Sequence, residues 1–318
     1  MEKYLQDWIK VIEEMKNDNT YKTAWGKAIL ECVLLGDYLV KNEEVIIQEE
    51  DIAHKMMRYY WNQTFFFNLS QGNNPVIEQD IRAMIDSYVN IVKIPYPVWF
   101  DKAERILNEK SNIVKRKVKK FVSISNQNVA FRFMNVRDSK VNLYKLEKSN
   151  KRLLFNINDI NYGYVLIKLI NFKWVQLLEK YNTSPNISKK VSNSSNKTIK
   201  RSNLSKYKNF LLKYYHKDEI RDFYTGEMLD KNDITIDHVI PWSFMYSDDL
   251  WNLVFTSKSN NSKKGNTAPS KEDIEKLKAR NHKLLLKIEN HNLKIVKDLE
   301  YALENNLTEK YLVDMIGF

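Results

Sequence analysis

The sequence predicts an α+β protein with a mainly helical N-terminal region and a small antiparallel sheet. A polar stretch follows, then two short strands with a helix, then a helical tail. Three observations lead there. Apolar residues recur at helical spacing through roughly the first 110 residues. Between about Lys119 and Ile157 apolar and polar residues alternate, which is a strand pattern. From Asn182 to Ser205 the chain is dominated by Asn, Ser, Thr and Lys, which cannot bury much apolar surface.

Taken in order, Leu5, Trp8, Ile9, Ile12 and Met15 mark a first helix, and Ile52, Met56, Tyr59 and Tyr60 another. Further helices are expected from about Ile77 to Val92 and from Pro97 to Asn108, where proline suits a first helical turn. Strands are expected at Val122-Ser123-Ile124, Val129–Phe133 and Val141–Leu146, with Phe131 and Phe133 on the buried face of the sheet. Asp138-Ser139 and Ser149-Asn150 read as the turns between them. A helix from about Asp159 to Tyr181 closes this part. The division expected is therefore 1–182 as a recognition or regulatory domain, 183–205 as a linker, and 206–318 as the domain bearing the chemistry. In the last, a helix at about Leu204–Tyr215 precedes the strands, and a charged helical tail runs from about Lys271 to Ile316.

Composition narrows the partners. Of 318 residues, 43% are hydrophobic, enough for a core and for two domains. The net charge is +11 with a pI near 9.3, which favours a polyanion. Residues 1–100 hold 10 Lys/Arg against 15 Asp/Glu, so the excess lies in 101–318, at net +16. The single cysteine, Cys32, excludes an internal disulfide and a multi-cysteine metal site, and its apolar surroundings place it in the core. The apolar run Ala24–Val40 is broken by Lys27, Glu31 and Asp37, so no membrane partner is expected and the chain reads as soluble and cytoplasmic.

The chemistry concentrates between Tyr224 and Asn266. Ile234-Thr235-Ile236 is short and β-branched and would deliver Asp237 and His238 to a strand end, where Pro241 stops ladder pairing. Leu253–Thr256 is a second short strand, and the Asn-, Ser- and Lys-rich run from Ser257 suits a polar helix start beside a phosphate. Carboxylate, imidazole, amide oxygens and two lysines would thus converge. Phosphodiester hydrolysis needs such a set: oxygen ligands for a hard cation, a neutral histidine to take a proton from water, and ammonium charges for the phosphate. Ser247 or Asp248 is expected to cap the short turn carrying Trp251 and Asn252.

The run Tyr-Thr-Gly, Ile-Asp-His-Val-Ile-Pro-Trp-Ser, Leu-Trp-Asn-Leu-Val and Asn-Asn-Ser-Lys-Lys-Gly resembles the HNH (ββα-metal) endonucleases. It is most similar to the version in RNA-guided CRISPR effector nucleases and stand-alone bacterial restriction and defence enzymes. The resemblance implies that Asp237 and Asn261 hold Mg²⁺ or Mn²⁺, that His238 is the general base, and that Asn252 braces the loop carrying it. It makes Lys264, with Lys263 beside it, the phosphate contact. Where zinc-bearing relatives have cysteines this chain has Asp222, Thr225, Ser257 and Asn260, so no structural zinc is expected. The implied substrate is double-stranded DNA, with RNA as the alternative; a monomer is expected to nick and a homodimer to cut both strands, and a defence-system partner protein is the other partner open to it. The basic run Lys115-Arg116-Lys117 reads either as a solvated face or as a DNA backbone contact. The alternatives from other classes are a nucleic-acid-binding module that keeps the fold without cutting and a partner-activated effector subunit of a defence complex.

Overall fold

Helical periodicity sets most of the first unit. The computed structural model describes residues 2–17, 19–72, 76–93, 96–137, 139–156, 163–288 and 292–316. The chain divides into Met1–Asn182 with Ile187–Ile199, and Thr183–Asn186 with Lys200–Phe318. In the first unit α1 (Glu2–Glu14) buries Trp8, Val11 and Ile12. Helix α2 (Tyr21–Leu35) is apolar nearly all round, buries Cys32, and ends on Gly36, whose φ of 74° is the left-handed stop that glycine takes without strain. A hairpin follows that the expectation of continuous helix did not include: β1 (Leu39–Lys41) and β2 (Glu44–Gln48) turn through Asn42 and Glu43, both at positive φ. Then come α3 (Glu49–Trp61), running into a π-helical turn at Asn62–Phe66, α4 (Val76–Val92) and α5 (Phe100–Lys110). The last begins at Phe100, not at Pro97.

The strand pattern after residue 119 is corrected. Val122-Ser123-Ile124 lies in α6 (Ile113–Asn128), and Ala130–Phe133 is a helical turn, α7. The buried residues there, Phe121, Val122, Ser125, Val129, Ala130 and Phe133, step by three and four, so three alternating residues read the wrong period. Strands do follow: β3 (Asn135–Val136) pairs with β4 (Ser139–Lys140), and β5 (Lys145–Glu147) with β6 (Arg152–Asn156). The expected turn residue Asp138 and the expected helix start at Asp159–Tyr162 lie outside the described residues. Strand β6 also pairs with β2, giving an antiparallel sheet of order β1-β2-β6-β5.

Helix α8 (Gly163–Leu178) crosses α2 at Gly26. A Cβ there would stand 2.5 Å from Ile170 Cδ1 and 2.6 Å from Phe133 Cζ, so only glycine lets the elements approach. The expected linker 183–205 contains a packed helix, α9 (Ile187–Asn193), with Lys190 and Val191 buried. It is held through its backbone: Lys27 Nζ donates to Val191 O (2.8 Å) and Asn62 Nδ2 to Ser194 O (2.8 Å). Lys27 lies 5.0 Å from the Tyr59 ring centroid, and burial lowers its pKa to about 8. Polar composition misled because these polar groups are satisfied inside the fold.

In the second unit α10 (Ser205–Leu212) precedes β7 (Ile234–His238), the short turn α11 (Trp242–Met245), β8 (Leu253–Ser257), α12 (Lys258–Lys264), α13 (Lys271–Lys287), α14 (Lys294–Glu304) and α15 (Leu307–Ile316). Strands β7 and β8 pair antiparallel, Asp237 opposite Val254 and His238 opposite Leu253. The tail helices close a core with Phe244, Trp251 and Phe255, and Trp251 stacks on Tyr311 (20° between planes). Among the described residues no helix is long and apolar enough to cross a membrane.

Candidate active site

Strand β7 ends at His238, paired opposite Leu253, so Asp237 and His238 are its last two residues. Pro241 begins the next turn, and Asn252 anchors the stretch between them. Its buried amide donates from Nδ2 to Ile240 O (2.8 Å) and accepts at Oδ1 from Ile240 N (2.8 Å), while its carbonyl accepts from Val239 N (3.0 Å). The turn bearing Asn252 is held from α13: Arg280 donates to Leu253 O (2.6 Å), and Asn281 Nδ2 to Trp251 O (2.9 Å). The loop after His238 therefore has little freedom.

His238 Nε2 lies 3.0 Å from Asp248 Oδ1. Asp248 does not cap the following turn, nor does Ser247: the residue at the cap position is Asp249, without a side-chain capping bond, and Ser247 Oγ donates to its carboxylate (2.5 Å). Burial pushes the Asp248 carboxyl up, but the bond and charge of His238, with smaller help from Ser202 and Lys206, together bring the net shift downward. Tyr207 Oη donates to the Asp248 carbonyl, fixing this residue from α10.

Asp237 has two partners that sequence reasoning missed. Tyr224 Oη donates to its Oδ2 (2.6 Å), and Lys264 Nζ lies 3.1 Å from the same atom. Lys264 also donates to His238 O (2.6 Å). Burial raises the Tyr224 phenol, with Asp237 adding to the rise, so the hydroxyl stays a donor. Burial lowers the Lys264 ammonium against the opposing pull of Asp237. Asn261 comes from α12, with Nδ2 3.4 Å from Ile236 O one residue before Asp237. Lys263, on the same helix, is exposed. Lys115, Arg116 and Lys117 belong to α6 in the first unit: the first two are exposed, and Lys117 pairs with Asp80 (2.5 Å).

Asp222 ties the motif together. Its Oδ1 accepts from Tyr224 N (2.9 Å) and Thr225 N (3.2 Å), and its Oδ2 from Ser257 N (2.8 Å), Thr256 Oγ1 (2.9 Å) and Asn260 Nδ2 (2.9 Å). A carboxylate hub thus gathers Thr225, Ser257 and Asn260 around Asp222. Burial alone would raise its carboxyl, but the donors from Ser257, Asn260, Thr256 and Tyr224 hold it at about 2, from an ordinary 3.8.

The oxygen donors suit a hard divalent cation. Asp237 offers a carboxylate that already attracts an ammonium, and Asn261 an amide oxygen. Among the described residues no group of three or more His, Cys, Asp or Glu converges as a metal cage. One carboxylate and one amide leave most positions to water and phosphate oxygen, the arrangement Mg²⁺ prefers.

The comparisons place this segment in a nuclease family. Residues 222–270 match the HNH endonuclease family. Over 84 residues, 26% of the chain, it is 38% identical to CRISPR-associated endonuclease Cas9 of Streptococcus mutans. Over 74 residues, 22% of the chain, it is 36% identical to CRISPR-associated endonuclease Cas9 of Listeria innocua. The matched stretch spans 6% of the length of each of these relatives. No solved structure matches. The chain carries an HNH endonuclease domain related to that of Cas9.

Proposed function

We propose that this protein is a cytoplasmic, divalent-metal-dependent DNA endonuclease of the ββα-metal type, acting in defence against foreign nucleic acid. The observation that carries the reading is that Asp237 and His238 share one strand end, with Asn261 reaching Ile236 O beside them from α12 and Asn252 locking the loop. The defence role draws on the relatives, both named CRISPR-associated endonucleases. The residues 1–182 then act in recognition or regulation, and 206–318 in cleavage.

The roles follow from the contacts. With Asp248 accepting from Nε2–H of His238, Nδ1 carries the lone pair and takes the proton of the attacking water. Asp248 then holds the imidazolium that forms. Asp237 and Asn261 would hold the Mg²⁺ or Mn²⁺, which supplies Lewis-acid stabilisation of the phosphate and departing oxygen. Lys264 is poised to move its ammonium from Asp237 to a phosphate oxygen, with Lys263 beside it.

The test is cleavage of supercoiled plasmid, and of RNA, by wild type and His238→Ala with Mg²⁺, Mn²⁺ or chelator. We expect metal-dependent cutting of DNA by wild type and a loss of about 10²–10⁴-fold in His238→Ala. One centre cuts one strand, so open circles should precede linear product; linear product without open circles would indicate a homodimer. Preference for RNA would correct the substrate. Absence of cutting with every divalent metal, with nucleic-acid binding intact, would leave a non-cleaving binding module.

A further inference from the structure

We propose that Arg201 is an additional active-site residue, one that binds the scissile phosphate. It precedes the matched segment 222–270, and the proposal rests on the endonuclease reading.

Its guanidinium carbon sits 5.0 Å from the ring centroid of Trp242, the buried residue that opens α11 just past the His238 loop. Burial lowers the Arg201 guanidinium, and Asp237 and Asp248, the carboxylates flanking the His238 site, oppose that shift. The side chain of the next residue, Ser202, also acts on Asp248 and helps to hold its carboxyl below the ordinary range. Arg201 is nevertheless exposed and, among the described residues, forms no ion pair.

That combination fits a ligand and not a fold contact. The aromatic face positions the guanidinium without using its N–H donors, which stay available as a planar fork matched to two phosphate oxygens. A phosphate approaching His238 meets the negative charge of Asp237 and Asp248, while the metal and Lys264 both act at Asp237. A cation beyond these two lowers the repulsion further, and more so as charge builds on the phosphate in the transition state. Arg201 is placed to supply it.

The test compares wild type, His238→Ala, Arg201→Gln and Arg201→Lys. Loss of cutting in His238→Ala establishes the nuclease reading by itself. We expect Arg201→Gln to slow single-turnover cleavage at saturating DNA about 10²-fold, with partial recovery in Arg201→Lys. Mn²⁺ binding without DNA, read by titration, should tighten in Arg201→Gln, because a cation that repels the metal has gone. Weakened Mn²⁺ binding alongside slower cutting would assign Arg201 a structural role and overturn the proposal. Cutting by Arg201→Gln within about threefold of wild type would also overturn it. A measurement independent of activity is DNA affinity against salt in the His238→Ala background with Ca²⁺. Adding Arg201→Gln should lower the slope of log affinity on log salt by about 1; an unchanged slope would overturn the phosphate contact even if wild type proves inactive.

Discussion

Asp222 shows how much one side chain can organise. Five donors from the β8–α12 junction and the Tyr224 turn end on one nearly buried carboxylate. Asp222→Ala leaves several of them without partners, and we expect it to cost about 3 kcal/mol or more, measured by urea unfolding. The pH dependence follows from the depressed carboxyl. Its folded value of about 2 lies below the ordinary 3.8, so the unfolded chain binds the proton first on acidification. The stabilisation is complete above the ordinary value and is lost as pH falls through about 2. Wild type should lose stability across that interval, and Asp222→Ala should show a shallower slope there; parallel curves would refute it. Asp237, His238, Asn252 and Asn261 could be singled out as candidates because they match the motif of a known family. Their partners could not. Asp248 and Asp249 look alike in sequence, yet one faces His238 and the other sits at the head of the next turn. The left-handed Tyr246 (φ 54°) precedes this loop, a conformation that tyrosine seldom takes and that no local pattern announces.

Among the elements, long helices were legible and short ones were not. Helices α3 and α4 repeat their apolar positions over several turns, whereas the segments read as strands offered three to six residues. The β1–β2 hairpin lacks the Asn-Gly signal, since Asn42 is followed by Glu43, also at positive φ. Its pairing with β6 spans about a hundred residues, beyond any local pattern. The crossing of α2 and α8 is a similar case: a glycine inside a helix reads as a weak point, but Gly26 is where Phe133 and Ile170 press in. Alanine would gain about 0.5–1 kcal/mol of helix preference, while overpacking against two fully buried side chains costs about 1–3 kcal/mol. The steric term wins, so Gly26→Ala should destabilise the protein by roughly 1–2 kcal/mol in denaturant titration. A stabilised variant would mean that Ile170 and Phe133 can yield.

At the scale of the whole molecule, charge and chemistry occupy different parts of the chain. Residues 101–199 hold 21 Lys/Arg against 7 Asp/Glu, net +14, whereas 200–318 hold 20 against 18, net +2. The part with the HNH motif is therefore almost neutral overall, and its cations are local: Lys264 at Asp237 and Arg201 over Trp242. A polyanion attracted by the excess charge should be held mainly by the first unit. Helix α6 offers the densest exposed set, with Lys115, Arg116 and Lys119, while Lys117 and Lys120 are drawn to Asp80. Neutralising Lys115, Arg116 and Lys119 together to Gln separates holding from cutting. If each meets one phosphate, DNA affinity should fall and the log–log salt slope should shrink by about 2–3. The single-turnover rate at saturating DNA should fall far less than the affinity, because no side chain near His238 has changed. A salt slope equal to that of wild type would return this face to solvent and move the DNA contact elsewhere on the chain.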